Sequence, residues 1–78
     1  MTSMWKITSP RDEVHAAFKN LDDVRAFLRS NGIRQKDDKG WRVVEELAGA
    51  RAECSAAFLL SEQGSHRRSI LWGVAGLR

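Results

Sequence analysis

The sequence predicts a small α+β domain with a small antiparallel sheet, ordered ββαβββ: an N-terminal hairpin, one helix at about 21–31, and a C-terminal three-stranded meander. Three observations lead there. One amphipathic segment carries both a start and a stop signal for a helix. The segments on either side are β-prone runs punctuated by Gly and Pro. The length of 78 residues leaves room for one domain, residues 1–78, with one modest core.

The helix is specified at both ends. Asn20 is an N-cap residue, and Asp22 and Asp23 place negative charge where the helix dipole favours it. Leu21, Val24 and Leu28, with Phe27 beside them, form an apolar stripe, while Arg25 and Arg29 are expected in water. Gly32 supplies a left-handed residue after Asn31, and Ile33 falls where a Schellman motif would pack it on Leu28.

Before the helix, Trp5-Lys6-Ile7-Thr8 alternates like a half-buried strand, and Ser9-Pro10-Arg11-Asp12 has Pro at the favoured turn position. Val14–Phe18 is the expected return strand, with Ile7 opposite Val14 and Trp5 opposite Ala16. The competing reading uses Ser9 as an N-cap and Pro10 at N1. After the helix, a polar loop from Arg34 to Gly40 leads to expected strands at 41–47, 52–61 and 67–75, the last two joined by a turn at Glu62-Gln63-Gly64-Ser65. The Ala- and Glu-rich stretch after Val43 also suits a helix, so the alternative fold is mainly helical, with long helices at 10–31 and 43–61.

The chemistry-bearing residues argue against an enzyme. Cys54 has no histidine near it in sequence and reads as a small buried side chain. Asp22-Asp23 reads as helix capping, Asp37-Asp38 sits between Lys36 and Lys39, and Glu45 and Glu46 point to opposite faces of a strand. One cysteine and two distant histidines, His15 and His66, make no zinc site, and no Gly-rich phosphate loop is present. No catalytic residue, metal or cofactor is expected. The N-terminus lacks signal-peptide features, no apolar run is long enough for a membrane, and the free thiol suits the cytoplasm.

Binding is the remaining reading. The chain carries a net charge of +3, and after Glu62 there is no acid, whereas His66, Arg67, Arg68 and Arg78 follow. A basic hairpin tip at Ser65–Arg68 is expected to meet an acidic protein surface or, alternatively, nucleic acid. Trp5 and Trp41 sit beside Lys6 and Arg42, the aromatic and basic pairing that anchors interfaces, and Trp72 reads as core. The candidate binding residues are therefore His66, Arg67, Arg68, Trp41, Arg42, Lys36, Lys39 and Trp5. In size and style the domain fits a small, non-catalytic inhibitor or regulator of a host complex, of the anti-CRISPR or counter-defence kind encoded by phages and mobile elements. A small core makes a homodimer compatible with the same picture.

Overall fold

The computed structural model describes residues 3–71. It is an α+β fold with a four-stranded antiparallel sheet: β1 (Met4–Thr8), β2 (Val14–Phe18), α1 (Leu21–Ser30), β3 (Arg42–Leu47), β4 (Ala50–Ser55), α2 (Ala56–Leu60) and α3 (Glu62–Ser65). The strands lie in the order β2-β1-β3-β4. Helix α1 packs on β1 and β2 and against α2, so the helices cover one sheet face. The alternative with long helices at 10–31 and 43–61 does not form.

The N-terminal hairpin forms with a different register from the expected one. Ile7 pairs with Ala16 and Trp5 with Phe18, and the register shifts between Ile7 and Thr8, which pairs with Val14. Ser9 sets the wider turn. Its Oγ accepts from the N–H groups of Arg11 (3.2 Å) and Glu13 (3.3 Å). Its own N–H donates to Glu13 O at 2.9 Å, and Asp12 takes a left-handed φ of 63° to close the loop.

Helix α1 keeps both expected caps. Asn20 Oδ1 accepts from Asp23 N at 2.9 Å. At the other end, Ile33 N donates to Leu28 O (3.0 Å) and Gly32 N to Arg29 O (3.1 Å), the paired bonds of a Schellman motif. Gly32 has φ 74°, and Ile33 is buried beneath the turn.

β3 and β4 form a hairpin through Ala48 and Gly49, both at positive φ (51° and 86°), as a tight two-residue turn requires. Here the expected meander fails. β4 ends at Ser55, not 61, because Ser55 Oγ caps a new helix by accepting from Phe58 N at 3.1 Å. The run Ala56–Leu60 then buries Ala56 and Leu59, a helical spacing rather than an alternating one. The expected turn at 62–65 is helix α3, capped by Ser61 Oγ on Gly64 N. Of the expected strand at 67–75, residues 67–71 form no strand; its remainder, Trp72 included, lies outside the described residues, as does Arg78.

The core lies between α1 and the sheet. Trp5 and Ile7 of β1 and Val43 of β3 meet Leu21, Val24 and Leu28 of α1, closed by Ala56, Leu59, Ile70 and Leu71. The opposite sheet face is tied by ion pairs: Lys6 to Glu46 at 2.6 Å, Arg42 to Asp12 and to Glu53, and Arg51 to Glu53 at 3.9 Å. Among the described residues no helix is long and apolar enough to cross a membrane.

Candidate functional site

Two buried charged side chains organise the end of the molecule where α1 begins. Arg25, expected in water, is 5% exposed. Its position follows from spacing: Leu21, Val24, Arg25 and Leu28 are the buried residues of α1, so Arg25 shares the core stripe. Its Nε donates to Leu59 O (3.2 Å), and its Nη2 donates to Gly64 O (2.7 Å) and Arg67 O (2.9 Å). Nη1 reaches Asp22 Oδ1 at 3.2 Å. One guanidinium thus satisfies three carbonyls, of α2, α3 and the turn that follows, and holds that stretch on α1.

Glu45 is the second. It is 0% exposed, beside Trp5 across the β1–β3 ladder. Its carboxylate accepts from Ser3 Oγ (2.5 Å), Ser69 Oγ (3.0 Å), Ile70 N (2.6 Å) and Leu71 N (3.0 Å). Its strand position gives an inward side chain by simple alternation with Glu46, yet the sequence holds no sign of its partners. The backbone around Arg67 and Arg68 is therefore fixed from both sides, by Arg25 at Arg67 and by Glu45 at Ile70 and Leu71.

Beside this strap lies a cleft of about 290 Å³, lined by Trp5, by Asn20, Leu21 and Asp22 at the start of α1, and by Arg25, Arg67 and Arg68. The side chains of Arg67 and Arg68 have no acidic partner among the described residues; Arg67 lies over the Phe58 ring, 5.6 Å from its centroid. The N–H groups of Leu21 and Asp22 find no acceptor among the described residues, as the first donors of a helix do not. Trp5 is 6% exposed, and its indole Nε1 is a buried donor without a hydrogen-bond partner among the described residues.

The residues singled out from sequence are only partly brought together. Arg67, Arg68 and Trp5 line the cleft, though Trp5 does so as a core residue and not as an exposed anchor. The tip that carries the basic cluster is the end of a short helix, with exposed His66 as the C-cap of α3, and not a β-hairpin. Arg42 stands on the ion-paired sheet face, where its hydrogen bond to Asp12 holds the guanidinium above its usual pKa. Trp41 is half-buried, its ring 4.8 Å from that of His15. Lys36 and Lys39 are exposed on the loop before β3, away from the cleft lining. The acids of that loop cap it: Asp38 Oδ1 accepts from Gly40 N at 2.9 Å and Oδ2 from Ala57 N at 3.3 Å.

Cys54 is half-buried, and burial pushes its thiol up to about 12. At neutral pH it is a protonated thiol, a weak nucleophile. Among the described residues no group of three or more His, Cys, Asp or Glu side chains could hold a metal ion. No family model matches the chain, and neither a curated protein nor a solved structure matches it.

Proposed function

We propose that this domain is a non-catalytic protein-binding module that docks on an acidic surface of its partner through the Arg67–Arg68 turn. The observation that carries the reading is the contrast between the turn's side chains and its backbone. Both guanidinium groups are exposed without acidic partners among the described residues, while Arg25 and Glu45 hold the backbone beneath them. A charged surface whose frame is already ordered loses little entropy on docking. On the open sheet face, by contrast, Lys6, Arg42 and Arg51 are paired with acids. In a cytoplasmic setting the reading fits a small inhibitor or regulator that caps a host complex, as phages and mobile elements encode in counter-defence.

The test is capture of a single stoichiometric partner by the tagged domain, compared with the Arg67→Ala/Arg68→Ala variant. Loss of capture in a folded variant is the expected result. Should the domain instead bind duplex or single-stranded nucleic acid at about 50 mM salt, with affinity falling steeply as salt rises, the partner is nucleic acid and the protein-binding reading fails.

A further inference from the structure

We infer that β4 is the interface for a second copy of this chain, the two β4 edges pairing antiparallel. β4 is an outer strand of the sheet, and among the described residues it pairs only with β3. Its outward N–H and C=O groups have no partner among those residues. Such a row of unused donors and acceptors is a template for another strand. The other outer strand, β2, is a poorer template. Its ladder with β1 shifts between Ile7 and Thr8, and a bulge of that kind bends an edge away from further pairing. β4 instead keeps six consecutive pairs with β3, from Arg42–Ser55 to Leu47–Ala50, without a shift.

The side chains of β4 select the occupant. Arg51 and Glu53 alternate with Ala52 and so share the open sheet face. Glu53 lies 3.9 Å from Arg51 and 3.7 Å from Arg42, too far for a hydrogen bond. Neither the Arg51 guanidinium nor the Glu53 carboxylate makes a hydrogen bond among the described residues. A two-fold axis through Ala52 sets Arg51 of each copy directly opposite Glu53 of the other, giving two opposite-charge pairs. Slipping by two residues sets Arg51 against Arg51 or Glu53 against Glu53, and slipping by one exchanges the faces. The charges that deter other strands therefore fit this strand's own copy, in one register. On the helix-bearing face that register brings Ala52 to Ala52 and Ala50 to Cys54, side chains small enough for two backbones to reach ladder distance. Two four-stranded sheets then join, β4 to β4, as one sheet of eight strands.

The experiment is sedimentation equilibrium on the full chain, on Arg51→Glu, on Glu53→Arg, and on an equal mixture of the two variants. The unaltered chain should form a dimer that dissociates on dilution. Each variant alone sets like charges opposite one another twice, so its dimer should weaken at least tenfold. In the mixture both positions again meet the opposite charge, and a heterodimer should recover the original affinity. The doubly exchanged chain, Arg51→Glu/Glu53→Arg, should dimerise on its own, and it carries the same test if a single variant fails to fold. Amide exchange should slow in β4, and not in β2, as the unaltered chain is concentrated. A chain that stays monomeric at millimolar concentration would overturn the interface. So would a dimer that both single variants retain, one that neither the mixture nor the double exchange restores, or one whose protection appears in β2.

Discussion

Arg25 shows how one residue can be misjudged by its charge and correctly placed by its spacing. It lies four residues after Leu21 and three before Leu28, on the stripe that enters the core, and its head group is used up by three carbonyls and Asp22. Arg25→Ala strands those carbonyls and should lower unfolding free energy by about 3 kcal/mol, read from the urea midpoint at unchanged m-value. Glu45 leaves a more local signature. Glu45→Ala removes the acceptor for Ile70 and Leu71 N–H, so amide exchange at those two positions should accelerate before exchange in β1 or α1 does. Cys54 gives a pH test. Its thiol is raised from 9.0 to about 12 in the folded state; the unfolded chain therefore loses its proton first, and stability falls as pH rises from about 9 toward 12. Replacement by Ala should flatten that slope in denaturant midpoints measured between pH 8 and roughly 10.5, whereas an unchanged slope would place the titration elsewhere.

Elements were legible in the sequence where the chain carries its own punctuation. The span of α1 could be read from Asn20, Asp23, Gly32 and Ile33, because cap chemistry is local and each of those residues forms the bond its type suggests. The β1–β2 pairing was legible as a hairpin but not in register, since the turn width depends on Ser9 bonding across to Glu13. The junction at Ser55 was not legible at all. Ala-Ala-Phe-Leu-Leu suits a strand or a helix equally, and the choice falls to one capping hydroxyl and to burial of Ala56 and Leu59 in a core assembled from distant segments. The α2–α3 corner then depends on Gly64: a Cβ there would lie 1.9 Å from Phe58 O, too close for any side chain. Because Gly64 O is also an Arg25 acceptor, Gly64→Ala should open the corner and cost about 3 kcal/mol. A small effect, under about 0.5 kcal/mol, would mean that α3 can move away from α2 without disturbing Arg25.

At the scale of the whole molecule, the open sheet face and the turn after α3 treat their cations differently. The open sheet face binds its cations to its own acids, while the turn after α3 leaves Arg67 and Arg68 without acids among the described residues. The excess of basic residues near the C-terminus was visible in the sequence, but its neighbours were not. Arg25, Trp5 and the first turn of α1 reach Arg67 and Arg68 through the fold, from 40 or more residues away, and no local pattern encodes that meeting. This difference allows total charge to be separated from position. Lys6→Ala/Arg42→Ala and Arg67→Ala/Arg68→Ala each remove two positive charges from a chain of net charge +3. If long-range attraction alone governed association, both variants would slow it alike. With the docking surface at the turn, only the arginine pair should abolish partner capture. The sheet-face pair should keep it while losing surface ion pairs worth about 0.2–1 kcal/mol each. Equal loss of capture in two equally folded variants would show that net charge, and not the strapped turn, drives the interaction.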